Sequence, residues 1–277
     1  MPSNPIEHIN IRKINAGEAI ELSDQVVVEE PLEIQLEYSS STGRMLKNIA
    51  VTMRTPGNDE ELAAGFLFTE GVISDAKAIK QIKRSAVDEN MMLVTLQENV
   101  VPMLANAAWN FYSTSSCGIC GKASIDAIRT SSPFSSAKED IAINSSLLYR
   151  LQESIKDQQL IFEHTGGIHA CALFDLEGKL ISIKEDVGRH NALDKLVGAA
   201  LLEDKLPLQQ HILFLSGRAG FELVQKAVMA GIRIIAAVGA PSSLAVELAK
   251  EAGTTLIGFL RDGRFNLYSG EQRINIG

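Results

Sequence analysis

The feature that most restricts the fold is an alternation that sets in near residue 190 and runs to the end of the chain. Helical segments "HNALDKLVGAALL", "FELVQKAVMAG" and "SLAVELAKEAG" take turns with short apolar segments "HILFLS", "IRIIAAVG" and "TTLIGFLR". Strands that alternate with helices in this way build an α/β layer structure around a largely parallel sheet. Just upstream, "IHACALFD" and "KLISIKED" read as a hairpin turning at Gly178, and "ASIDAIR" and "SSLLYRLQESIKDQ" read as helices.

The first part of the chain has another pattern. Residues 26–38, 46–54 and 91–97 alternate apolar and polar positions as strands do. Between them "GNDEELAAGFLFTEG" reads as a capped helix, with Asn58 at the N-cap, Asp59 to Glu61 at the positive end of the dipole and Gly71 past the end. The first 20 or so residues are polar and aperiodic, which predicts a loosely held tail. The expected division is a tail at 1–20, a smaller α+β part at 21–110, and an α/β core at 111–277 carrying a cysteine loop and ligand-binding loops.

Composition narrows the partners. A net charge of −8 argues against nucleic acid, which is bound through a basic surface. "MPSNPIEHIN" has neither the basic nor the apolar region of a signal peptide, and "IRIIAAVGAP", cut by Pro241, is far too short to span a membrane. A cytoplasmic protein is expected. Any anionic ligand must be held by a local cluster of donors.

Such clusters lie in one kind of place. "EDVGRHN", "SGR", "GAPSS" and "RDGR" each fall just past the carboxyl end of an expected strand, and three of them lead into expected helices. That edge of an open α/β sheet is where ligands bind, and helix N-termini there offer free N–H groups to phosphate. Arg189, Arg218, Arg261 and Arg264 add forked positive donors. The pattern predicts a phosphorylated, nucleotide-like ligand, against the plainer reading of solvated loops.

Two of three cysteines sit in "STSSCGICGK", residues 113–122. Three cysteines do not make a disulfide framework, so the Cys117–Cys120 spacing points to metal, redox or nucleophilic chemistry. Zinc needs about four ligands, and only the distant His164 and His169 are available to complete a set. A thioredoxin-like pair would open a helix directly after the first strand of its fold. A nucleophile on a loop fits better: a helix starting near residue 121 and Lys122 would both favour thiolate over thiol. Two inert thiols in a turn is the bland alternative. Cys171, within "HACALF", reads as buried core. His190 either meets a ligand or begins its helix beside Asn191 and Asp194, His164 and His169 orient backbone around a Gly-Gly, and Trp109 packs.

Six stretches, "VTMRTPGNDEELAAGFLFTEG", "SSCGICGKASIDA", "EDVGRHNALDK", "SGRAGFELVQKA", "APSSLAVELA" and "GFLRDGRFNLYS", together resemble the formate dehydrogenase accessory sulfurtransferase family, FdhD, from about residue 28 to 270. The resemblance implies a cytidine deaminase-like layered α/β core with a mixed sheet, and a homodimer. It also implies a sulfur carrier loaded by a cysteine desulfurase, which passes sulfur to the molybdenum bis(molybdopterin guanine dinucleotide) cofactor before formate dehydrogenase receives it. The cofactor is then a bound substrate, and no permanently bound metal is expected. By the same resemblance Cys117 is the persulfide cysteine and Cys120 its partner. Phe259, Leu260, Arg261, Asp262, Gly263 and Arg264 contact the cofactor, with Ser216, Gly217 and Arg218 and the loop from Ala240 to Ser243 as further contacts. One departure is Gly220, where the family pattern leads one to expect serine.

Two other classes compete. A zinc deaminase would need H-x-E and P-C-x-x-C, but Ser116 stands where the proline belongs and Cys171 where the glutamate belongs. A non-catalytic chaperone that binds the cofactor or the apo-enzyme, using its cysteines to dock or to hold metal, fits the sequence as well.

Overall fold

The computed structural model describes residues 4–104, 130, 132–134 and 141–276, and its first element corrects the expectation of a loose tail. Strands β1 (Ile6–Asn15) and β2 (Glu18–Val27) pair antiparallel along their whole length. Ala16 and Gly17 between them have φ values of 46° and 91°, the geometry of a two-residue hairpin turn whose twist matches its strands. Charged residues that interrupt the apolar positions, Lys13 and Asp24 among them, hide the period of two.

Strands β3 (Glu30–Ser40) and β4 (Gly43–Arg54), helix α1 (Asp59–Thr69), and strands β5 (Ile79–Arg84) and β6 (Met91–Leu96) follow. The strands form one sheet in the order β4-β3-β6-β5. Alternate residues Leu32, Ile34 and Leu36 of β3 are fully buried and share a cluster with Leu62, Leu67 and Phe68 of α1. Gly71 follows α1 with φ 72°, as expected of a helix stop. Asn58 holds the N-cap position in a left-handed conformation but makes no cap bond, and its amide donates to Glu61 instead. The strand β5 carries no sequence expectation, because its lysines and arginine break the apolar pattern.

Next come β7 (Ile143–Asn144), α2 (Ser145–Ser154), α3 (Leu160–Thr165), β8 (His169–Asp175), β9 (Leu180–Asp186), α4 (Arg189–Leu202), β10 (His211–Leu215), α5 (Phe221–Met229), β11 (Ile234–Ala237), α6 (Ser243–Glu251), β12 (Thr255–Arg261), β13 (Arg264–Ser269) and β14 (Ile274–Asn275). Strands β8 to β13 make a six-stranded sheet in the order β13-β12-β11-β10-β8-β9. It is mixed rather than largely parallel, because β8 runs against both its neighbours and β13 against β12. Strands β9, β10, β11 and β12 nevertheless all point the same way, since β8 reverses the sense between β9 and β10. Along each strand the side chains alternate between two cores. Leu213, Leu215, Ile235 and Ala237 share one with α4, α5, α6, α1 and the four-stranded sheet, while Ile212, Phe214, Ile234 and Ala236 share the other with α2. Where α1 meets α4, a Cβ on Gly65 would run into the Asp194 carbonyl and one on Gly198 into the Glu61 carbonyl, so the two backbones touch.

Candidate functional site at one edge of the sheet

The shared direction of β9 to β12 brings "EDVGRHN", "SGR", "GAPSS" and "RDGR" to a single edge, together with the first residues of β8 and β13. The expected convergence of the four motifs is therefore real. Its base is a set of buried ion pairs that single-residue reading did not foresee. Asp186 lies 2.7 Å from Lys195 and accepts from the backbone N–H groups of Thr55 and Gly188. Lys195 in turn donates to the Thr55 carbonyl at 2.8 Å. This clasp fixes the loop after β9 to the segment after β4. Deeper in, Lys226 of α5 sits 2.9 Å from both Asp194 of α4 and Glu70 after α1, and the Thr69 hydroxyl donates to Asp194 at 2.7 Å. Burial alone would push the Lys226 ammonium down, but two facing carboxylates outweigh it and push it up.

These contacts correct the alternatives weighed for the start of α4. Gly188 is its N-cap, with no side-chain cap bond. His190 pairs with Glu222 at 2.8 Å, and the Asn191 amide donates to the Met53 carbonyl at 2.7 Å. Cys171 is buried as expected, and burial pushes its thiol up.

A cavity of about 650 Å³ opens at this edge on the side covered by α2. Phe214, Ser216, Val187 and Val238 come from the sheet side, Phe162 and Glu163 from α3, and His169 from the start of β8. The volume suits a ligand of nucleotide size. Sequence reading gave His169 a backbone-orienting role or a place in a dispersed zinc set; its position as the first residue of β8, on the ligand edge, was the usable signal. Its imidazole is held below the usual range by burial first, and then by the charges of Arg189, His190 and Arg218. Held below that range, it is neutral at pH 7.

The expected contact residues divide by position. The Ser216 hydroxyl accepts from the Ala170 N–H at 2.9 Å and lines the cavity. Gly217 leaves room for the His169 ring, from which an added Cβ would be 3.4 Å away. Arg218 is exposed, with its backbone packed on Gly239. Arg261 is exposed and steadied by donation to the carbonyls of Val238 and Leu260, both at 2.8 Å. Asp262 and Gly263 form the turn between β12 and β13, where Gly263 has φ 71°. Arg264 beside them is exposed. Phe259 is 44% exposed with φ 53°, a conformation that non-glycine residues rarely adopt. Leu260 is buried in the second core, so at the edge it offers only backbone. Ser242 serves as the N-cap of α6, accepting from Ala245 N–H. Cys117, Cys120, Lys122, Trp109 and the helix expected from residue 121 lie outside the described residues.

The chain matches the model of the FdhD/NarQ family over residues 27–275. It is 48% identical over 276 residues to the sulfur carrier protein FdhD of Streptomyces avermitilis, with 97% of this chain and 95% of that one covered. Against the sulfur carrier protein FdhD of Mycolicibacterium paratuberculosis the identity is 45% over 271 residues, covering 95% and 97%. Against that of Saccharolobus solfataricus it is 40% over 269 residues, covering 97% and 98%. A crystal structure from Desulfotalea psychrophila, provisionally named a formate dehydrogenase accessory protein, superposes with a TM-score of 0.74 at 25% identity, covering 98% of this chain and all of that one. With a family model spanning nearly all of its length and relatives aligned end to end, the chain belongs to the FdhD/NarQ family.

Proposed function

We propose that this chain is a sulfurtransferase, a sulfur carrier. It takes sulfur from a cysteine desulfurase onto Cys117 and passes it to the molybdenum of a bis(molybdopterin guanine dinucleotide) cofactor, bound as substrate, before formate dehydrogenase takes that cofactor up. The observation that carries the reading is the convergence of four polar loops at one edge of the sheet, with Arg218, Arg261 and Arg264 exposed there and a cavity of about 650 Å³ opening beside them. An otherwise acidic chain gathers there the donors that a phosphate-bearing ligand needs. The names of the relatives support the sulfur chemistry.

In loading, the Cys117 thiolate attacks the terminal sulfur of the desulfurase persulfide, and the desulfurase cysteine leaves as thiolate. Delivery of that sulfur as sulfide takes two electrons. The Cys120 thiolate supplies them by attacking the inner sulfur of the Cys117 persulfide, which forms a Cys117–Cys120 disulfide and releases hydrosulfide. The segment Phe259 to Arg264 and the loops at Ser216 to Arg218 and Ala240 to Ser243 hold the guanine and phosphate parts meanwhile. The protein works as a homodimer in the cytoplasm.

Intact-protein mass spectrometry after incubation with a cysteine desulfurase and cysteine tests this. Wild type gains one sulfur that reductant removes, Cys117→Ala gains none, and Cys171, buried as it is, stays unmodified. No gain in wild type beside an active desulfurase control would overturn the carrier and leave a chaperone that binds the cofactor without sulfur chemistry.

A further inference from the structure

We propose that Glu185 is a positioning residue for the ligand cavity: its carboxylate holds helix α3, which forms part of the cavity wall, where a nucleotide can seat against it. The inference rests on the ligand role given to this edge of the sheet in the reading above. It starts from a conflict in charge. Arg218, Arg261 and Arg264 are exposed at the edge, yet the "EDVGRHN" loop there opens on two acids, which repel phosphate. Asp186 is taken up by Lys195 at 2.7 Å. Glu185 is taken up by α3. One of its carboxylate oxygens accepts from the Ile161 N–H at 3.2 Å and the other from the Phe162 N–H at 3.1 Å.

Those two N–H groups belong to the first turn of α3, where a helix has no partners of its own for them. Gln159, at the N-cap position, makes no side-chain cap bond, so a carboxylate from β9 does the work of a cap. Its charge at the positive end of the helix strengthens both bonds. Helix α3 has little core of its own to hold it. None of its six residues is buried, and a helix this short is marginal without tertiary support. The chain leaves helical geometry on both sides of it, at Gln159 with ψ 64° and at Gly166 with φ 64°. Strand β2 packs against α3 too, but it belongs to the two-stranded hairpin. Glu185 ties α3 to the six-stranded sheet, which supplies Phe214 and Ser216 to the cavity. Phe162 and Glu163 of α3, and Gly166, Gly167 and Ile168 just after it, line the same cavity. Release of the two N–H groups therefore frees one wall while the sheet stays in place.

Hydrogen exchange of the free full chain, beside calorimetry with guanosine diphosphate, tests the role. In Glu185→Ala the amides of residues 161–166 exchange about tenfold faster than in wild type, the nucleotide binds about tenfold more weakly, and the urea midpoint is unchanged. Glu185→Gln, which keeps one acceptor oxygen in place, falls between the two in both readouts. Wild-type exchange over 161–166 in Glu185→Ala overturns the hold on α3. Faster exchange there with undiminished nucleotide affinity overturns the link to the cavity. Faster exchange across the whole chain with a lowered urea midpoint makes Glu185 a general structural residue, and the proposal falls. A wild type that binds no guanosine diphosphate overturns the nucleotide reading and the positioning role with it. Because exchange is read without ligand, that failure is distinct from a failure of the hold itself.

Discussion

Lys226 shows how much a single residue can matter when it is read only as part of a motif. In sequence it is the lysine of "FELVQKA"; in the fold it is a buried cation facing both Asp194 and Glu70. Removing one partner of such a group leaves a charge with no compensation, which costs about 3–5 kcal/mol. Lys226→Met is therefore expected to lower the urea unfolding free energy by that amount, and adding Asp194→Asn should recover part of it. A loss below about 1 kcal/mol would mean that water replaces the pair. The positions of Asp186, Asp194 and Lys195 in the family motif were legible, but their partners were not. Thr55, Thr69 and Glu70 lie more than a hundred residues upstream, and no local pattern announces them.

At the scale of elements, the sequence carried most of the helices and strands and missed what brings them together. Apolar periodicity located α1 and α4, yet their crossing depends on two glycines that look like ordinary helix interruptions. Gly198→Ala gains about 1 kcal/mol of helix propensity but forces a methyl into the Glu61 carbonyl, and overpacking of this kind costs about 1–3 kcal/mol or more. A lowered thermal midpoint is the expected result. A raised one would mean that the helices separate freely. The β1–β2 ribbon escaped for the opposite reason. It packs little of its length on the body, so solvent tolerates charges on both sides and the strand signal is diluted.

The whole molecule gathers four separate loops at one edge, and their joint electrostatics belong to that scale. Arg218 and Arg261 come from loops after β10 and at the end of β12, on either side of Gly239. If both face the phosphates of a bound nucleotide, Arg218→Ala and Arg261→Ala should each weaken guanosine diphosphate about tenfold, as loss of a charged hydrogen bond implies. Calorimetry at fixed ionic strength reads this directly. Unchanged affinity in both variants would move the ligand off this edge.

What the sequence determined by itself was local chemistry. Alternating apolar runs specified strands and helices, glycines marked several turns, and the motif residues fixed the family and the cysteine pair. The tertiary structure alone decided which distant groups meet. It reversed β8 and so set β9 parallel to β10, it placed His169 beside Ser216 and under the charges of Arg189, His190 and Arg218, and it buried Leu260 while leaving Phe259 at the surface. The physical reason is that strand direction and buried charge pairing are settled by contacts between residues far apart in the chain, whereas periodicity and turn chemistry act within a few residues.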